Sequence, residues 1–233
     1  MMSGSSVLIR NPSNERFKIK VSKNGPYIVS GGIPLAENII ITDAKGISYE
    51  WRAGKKYKLQ GTYQLCRCGQ SKNKPFCDGT HQRIRFDGTE TANRKPYLNQ
   101  AKEINGPDLK LTDAPALCVH ARFCDRAGGI WKCIEQSSDP EARRIAIEEA
   151  GDCPSGRLVV WDKEGNEIEP RFRPSIELVE DPYTGVSGPL WIRGGIIVES
   201  ANGTAYEIRN RVALYRCGKS ANKPFCDGTH LNK

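Results

Sequence analysis

The stretch Cys66-Arg67-Cys68-Gly69-Gln70-Ser71-Lys72-Asn73-Lys74-Pro75-Phe76-Cys77-Asp78-Gly79-Thr80-His81 places three thiols and one imidazole at the spacing C-x-C-x8-C-x3-H. It returns near the other end of the chain as Tyr215-Arg216-Cys217-Gly218-Lys219-Ser220-Ala221-Asn222-Lys223-Pro224-Phe225-Cys226-Asp227-Gly228-Thr229-His230. Cys217, Cys226 and His230 repeat the donor set, but Tyr215 stands where the first copy has Cys66. Sulfur and imidazole donors at such spacing suit zinc or the iron of an iron–sulfur cluster.

Working outward, the repeat is larger than its cysteine loop. Gly25-Pro26-Tyr27-Ile28-Val29-Ser30-Gly31-Gly32-Ile33 matches Gly188-Pro189-Leu190-Trp191-Ile192-Arg193-Gly194-Gly195-Ile196. Each copy leads through β-rich sequence to its own motif, so the repeated unit is a domain, residues 7–90 and again 174–233. A repeat on this scale decides the architecture before any single element does. Runs of β-branched and aromatic residues predict strands at 26–28, 39–42, 47–51, 63–65, 190–192, 205–208 and 212–214. Both Gly-Gly pairs read as turns.

The segment 91–173 differs from both copies. Residues 93–108 read as a polar linker and 109–112 as a strand. Ser138-Asp139-Pro140-Glu141 predicts a helix start capped by Ser138, with proline in the first turn and an end at Gly151. A hairpin follows over 157–170. Cys118, His120 and Cys124 form a Cys-x-His-x3-Cys loop, and Cys153-Pro154 follows the helix. The fold expected from all this is mainly β with a small α+β insert.

Composition narrows the function. The nine cysteines are an odd number, and Met1–Arg10 lacks a basic then apolar leader, so metal-bound thiolates in the cytoplasm are expected rather than disulfides. The three histidines, 81, 120 and 230, each lie within four residues of a cysteine, which leaves no Ser/His/Asp arrangement. No nucleotide-binding glycine loop is present. A net charge of +8 invites phosphate partners, but the basic residues are dispersed without stacking aromatics, so no nucleic acid is expected and an acidic protein partner is. No apolar run is long enough for a membrane span. Trp51, Trp131, Trp161 and Trp191 read as packing, and Cys133 as a structural thiol.

Cys-Asp-Gly-Thr-His, with Pro75 two residues before its cysteine and Ser71 three after the Cys-x-Cys pair, resembles the CDGSH iron–sulfur family. The resemblance implies a [2Fe–2S] cluster with Cys66 and Cys68 on one iron and Cys77 and His81 on the other. Asp78 would cap a short helix aimed at the cluster, Ser71 would donate to a sulfur, and Gly79 would leave the approach open; Ser220 and Asp227 take the same parts in the second copy. CDGSH domains are usually strand-swapped homodimers, so two copies in one chain imply an internal pseudo-dimer within a monomer. At Tyr215 three readings stay open: a phenolate ligand, a second iron completed by water or another group, or a partial or absent cluster.

The middle loop resembles the divergent single-cluster ferredoxin domain. Cys118, Cys124 and Cys153 would then hold a [3Fe–4S] cluster, or a [4Fe–4S] cluster if His120 or Cys133 adds a fourth ligand, while His120 serves equally as a hydrogen-bond donor to sulfur. The function expected is electron transfer, or cluster storage and delivery, to a redox partner or an apo-acceptor protein, without substrate turnover. On that reading the chain is a short wire whose His-ligated site is the higher-potential end. A redox or iron sensor and a structural zinc protein are the alternatives.

Overall fold

The computed structural model describes residues 16–59 and 61–232; residues 7–15 of the first repeat and the Met1–Arg10 reading lie outside the described residues. The first repeat supplies β1 (Lys18–Val21), β2 (Tyr27–Ser30), β3 (Leu35–Thr42), β4 (Ser48–Tyr57), β5 (Thr62–Leu65) and the one-turn helix α1 (Thr80–Arg83). The middle supplies β6 (Lys102–Asn105), β7 (Lys110–Asp113), α2 (Ile130–Glu135), α3 (Pro140–Asp152), β8 (Leu158–Trp161) and β9 (Glu167–Ile168). The second repeat supplies β10 (Ser175–Asp181), β11 (Val186–Arg193), β12 (Ile197–Glu199) and β13 (Arg211–Leu214).

Neither repeat keeps its strands to itself. One sheet runs β12-β1-β2-β5 and the other β13-β11-β10-β3-β4. In the first, β12 pairs in parallel with β1, Ile19 opposite Val198. In the second, β3 pairs in parallel with β10, Leu35 opposite Ile176. Each copy therefore lends strands to its twin, β3 and β4 from the first and β12 from the second, the exchange that swapped dimers make between chains. The Gly31-Gly32 and Gly194-Gly195 turns are the points where the chain leaves one sheet for the other. Alternating buried positions on both sheets, Ile19, Val21, Tyr27, Val29 and Leu65 against Ile176, Leu178, Leu190, Ile192 and Leu214, close one shared core. The architecture is the internal pseudo-dimer.

Several local expectations change. The supposed linker 93–108 contains β6 and a 3-10 turn at Tyr97–Asn99, because the Tyr97 hydroxyl bonds the Thr112 and Arg157 carbonyls and anchors the segment to the middle sheet. The predicted strand 205–208 is reduced to a single bridge, Glu199 to Ala205; Tyr206 turns instead to donate its hydroxyl to Glu90. β3 and β4 run longer than the sequence suggests, since they pair with each other over the edge of the second repeat's sheet. The cap of α3 is Asp139, which accepts from the Glu141 and Ala142 amides, not Ser138, and the helix passes Gly151 to end at Asp152. Helix α2, too short for its periodicity to mark it, buries Ile130, Cys133 and Ile134 against α3 and the four-stranded middle sheet.

The middle domain is seated on the pseudo-dimer by specific contacts. Buried Arg211 of β13 donates to the carbonyls of Ala150, Cys153 and Leu158 and pairs with Glu169. Trp51 of β4 stacks on Phe123 at 4.5 Å and lies 4.8 Å from Trp191. The packing role expected for these tryptophans is what the structure shows.

Glu149 of α3 is buried with neither carboxylate oxygen hydrogen-bonded, and its nearest cation is Arg126 at 3.8 Å. Burial pushes its carboxyl up to about 8, against the pull of Arg126. Between the ordinary value of 4.5 and about 8 the folded protein thus keeps a proton that the unfolded chain gives up, so stability falls as pH rises through that window. Glu149→Gln is expected to flatten the fall, read as a urea midpoint that changes less between about pH 5 and about pH 8 than in the parent. An equally steep parent and variant would refute it.

Candidate metal centres

The first cysteine loop is stitched to the end of β5. The Cys66 amide donates to the Pro75 carbonyl (2.8 Å) and the Cys77 amide to the Gln64 carbonyl (3.0 Å). This brings the donors together in two pairs: Cys66 and Cys68 Sγ lie 3.8 Å apart, and Cys77 Sγ lies 3.3 Å from His81 Nδ1. Two thiolates on one tetrahedral metal are separated by about 3.8 Å, and a thiolate and an imidazole by about 3.5 Å. Each pair therefore fits one metal. The Gly79 amide points at the Cys77 sulfur (3.5 Å).

Asp78 and Ser71 hold the loop rather than the sulfurs. Asp78 accepts from the Lys72 and Thr80 amides, which hold its carboxyl well below the ordinary range, and the residue at the start of α1 is Gly79. Ser71 donates to the Phe76 carbonyl and accepts from the Asn73 amide, not the sulfur contact expected of it. The hydroxyl is taken because the loop's own carbonyls are closer and otherwise unpaired in a buried turn.

The second loop repeats this geometry. The Tyr215 amide bonds the Pro224 carbonyl (3.2 Å), the Cys226 amide the Ala213 carbonyl (2.8 Å), and Ser220 the Phe225 carbonyl (2.7 Å). Asp227 accepts from the Ala221 and Thr229 amides. Cys226 Sγ lies 3.4 Å from His230 Nδ1, and the Lys219 amide reaches the Cys217 sulfur at 3.4 Å. Burial raises the Cys226 thiol to about 12 and lowers the His230 imidazole, which Arg216 and His120 lower further. A neutral imidazole is what a metal needs, and a desolvated thiol ionises when a metal takes its proton's place.

The two loops meet back to back. A β-carbon on Gly69 would overlap the Cys217 carbonyl, and one on Gly218 the Cys68 carbonyl. Both glycines have positive φ, 74° and 82°. Glycine is required there twice over, by conformation and by contact.

The middle domain gathers its own donors. Cys118, Cys124 and Cys153 line one cavity of about 170 Å³, together with His120, Trp131 and Arg157. Cys133 does not line it; it is buried in the α2–α3 core. Burial pushes the Cys124 thiol up strongly, with Asp125, Cys153 and Cys118 adding to it.

Residues 24–82 and 187–231 match the family described as iron-binding zinc finger, CDGSH type, and residues 104–163 match a divergent 4Fe–4S mono-cluster domain. The chain is an iron–sulfur protein with two CDGSH domains around a 4Fe–4S domain. No curated protein matches it. Among the described residues no helix is long and apolar enough to cross a membrane.

Two positions set the loops apart or tie them down, Tyr215 and the pair Arg67 and Arg216. Tyr215 is fully buried, its ring edge-on to Tyr27 at 6.1 Å and its hydroxyl without a partner. Burial raises its phenol well above the ordinary value, the direction opposite to a phenolate's. Its backbone is held as that of Cys66 is, so the ring carries the oxygen well past the place a thiolate would take. The other position, Arg67 with its counterpart Arg216, is one the sequence reading passed over. Buried Arg67 donates to the Ser22, Gly25 and Gly88 carbonyls, and Arg216 to the Val179 and Gly188 carbonyls. Both tie the cysteine strand to the preceding hairpin, and their identity in both motifs was the available signal.

Gly218→Ala should cost about 2 kcal/mol or more in urea unfolding and weaken iron retention at the first CDGSH domain as well as the second; a loss confined to the second would break the link between the loops. Tyr215→Cys should raise iron and acid-labile sulfide per chain while lowering the stability of the metal-free protein by about 3 kcal/mol. No gain in iron would show that the second site is closed to further metal.

Proposed function

We propose that this iron–sulfur protein transfers electrons and turns over no substrate of its own, with the first CDGSH domain as its contact with other proteins. The observation that supports this best is the complete, paired donor set Cys66/Cys68 and Cys77/His81 on a loop whose outer face is open: a β-carbon on Gly79 would meet no atom within 4 Å. A [2Fe–2S] cluster held by those four side chains would supply one-electron chemistry. The remaining sites are read as a second CDGSH centre on Cys217, Cys226 and His230, and a [3Fe–4S] or [4Fe–4S] centre on Cys118, Cys124 and Cys153.

The residues around the first site have definite parts. Cys66 and Cys68 are buried, so the pair they form is shielded from water, while Cys77 and His81 are half-buried and face the surface. His81 brings no charge where a fourth thiolate would bring one, which favours the reduced state and raises the potential. The Gly79 amide adds a dipole toward the Cys77 sulfur. Exposed Lys72, Lys74, Arg83 and Arg85 lie in the same segment as exposed Ile84, a surface that suits an acidic redox partner. The half-exposed His81 also supports a second reading, delivery of a cluster to an apo-acceptor, because protonation of an accessible imidazole detaches it from metal.

Iron, acid-labile sulfide and zinc per chain, measured on protein purified without oxygen, test the reading at its root. Iron with matching sulfide is expected, and zinc with little sulfide would sink it. His81→Cys is expected to lower the first centre's potential by on the order of 100 mV or more and to abolish its bleaching by mild acid. Unchanged acid lability would remove His81 from the ligand set.

A further inference from the structure

A cleft lies beside the second CDGSH loop, where three parts of the chain meet. Its walls come from residues 93–100, from Leu117 and Ser155 of the middle domain, and from the second repeat, and its free space is about 40 Å³. A water takes up about 10–15 Å³ on that measure, so the space suits a molecule of roughly three or four non-hydrogen atoms.

Charge in the cleft is out of balance. Arg94, Lys95 and Arg209 all line it, and none of them forms an ion pair among the described residues. One carboxylate, Glu207, lines the same cleft, and it accepts the Tyr97 amide at 2.7 Å. Arg209 is the decisive member. It is partly buried, burial lowers its pKa, and among the described residues its guanidinium donates only to the Gly156 carbonyl. A guanidinium keeps its charge in a protein, so the remaining N–H groups call for an acceptor that the chain itself does not supply.

The cations are held in place before any ligand arrives. The Arg209 guanidinium lies 3.8 Å from the centroid of the Tyr97 ring, and that of Arg94 lies 4.3 Å from the centroid of Tyr206. Both rings are pinned by their hydroxyls, Tyr97 on the Thr112 (2.9 Å) and Arg157 (2.8 Å) carbonyls and Tyr206 on Glu90 (2.6 Å). A guanidinium over an aromatic ring keeps N–H groups free for a ligand, and fixed rings spare the ligand the cost of ordering them. Leu117, Val212 and Phe225 complete the wall with apolar surface.

We propose that this cleft binds a small carboxylate, its oxygens on the N–H groups of Arg209 and Arg94, with Lys95 adding charge and the short carbon body against Leu117, Val212 and Phe225. The guanidinium fork matches the two oxygens of a carboxylate. A phosphate would need donors on every side, which the apolar wall lacks. Cys226 borders the cleft as well, so the ligand lies beside the second loop, while every group that would hold it belongs to other segments. Bound there, the carboxylate would clamp the middle domain to the second repeat.

The test follows the melting midpoint of the full chain, purified without oxygen with its metal, as sodium acetate replaces sodium chloride at fixed ionic strength. Acetamide and inorganic phosphate are the comparison probes. Acetate is expected to raise the midpoint and to half-saturate at a concentration on the order of millimolar, while acetamide, uncharged but of the same shape, should leave it unmoved. Arg209→Gln is expected to raise the half-saturating concentration about tenfold or more, and Arg94→Gln, at an exposed position, about threefold or more, with iron and sulfide at parental levels. No response to acetate overturns the proposal, as does an equal response to acetamide, tighter binding of phosphate, or an acetate response unchanged in both variants. Should Arg209→Gln fail to fold, Arg94→Gln and the three probes decide. None of these outcomes turns on which metals the chain holds, so the electron-transfer reading stands or falls separately.

Discussion

The parallel pairings of β1 with β12 and of β3 with β10 carry a strand of each repeat into the other's sheet. A strand placed that way cannot be removed without opening the core it completes, because Ile19, Leu35, Ile176 and Val198 all face one apolar interior. The exchange draws the two cysteine loops together until only backbone separates them. Gly69 lies on the Cys217 carbonyl and Gly218 on the Cys68 carbonyl, a reciprocal contact that no residue with a side chain can make. Two motifs about 150 residues apart in sequence become one structural unit.

Within each loop the polar residues serve the backbone. Asp78 and Asp227 collect amides across the loop, Ser71 and Ser220 satisfy a carbonyl, and Arg67 and Arg216 bind the carbonyls of the neighbouring hairpin. The donors are thus set in place before any metal arrives, which lowers the ordering cost of binding one. What a metal must still supply is the cost of ionising desolvated thiols, since burial raises Cys68, Cys124 and Cys226. Occupancy and protonation would therefore be opposed at each of the three candidate centres.

The insertion of a third domain breaks the symmetry. It comes down on the second repeat through Arg211 and His120 and leaves the first repeat's loop face free. The protein consequently has a covered end, where two donor sets adjoin, and an open end that carries exposed Lys72, Lys74, Arg83 and Arg85. A swapped homodimer would present two equivalent loops. Fusion of the copies allows one to face inward and the other outward.

Much of this was legible from residues 66–81 and their echo at 215–230, because a chelating loop is a local object: its donors, turns and glycines fall within sixteen residues, so spacing alone reports them. The repeat of Gly25–Ile33 at Gly188–Ile196 likewise pointed to two equivalent units. Periodicity did not show α2 or β6, which are short, nor that Ser71 would turn from sulfur to the Phe76 carbonyl. It gave no sign that Tyr215 would lie edge-on to Tyr27 in the core, or that His120 would rest on Gly228. The spacing of residues along the chain picks out the candidate donors and how they group. Which loop is covered and which is open is settled in three dimensions, because it depends on contacts between residues far apart in sequence, His120 with Gly228 and Arg211 with the chain near Cys153, whose approach no local pattern encodes.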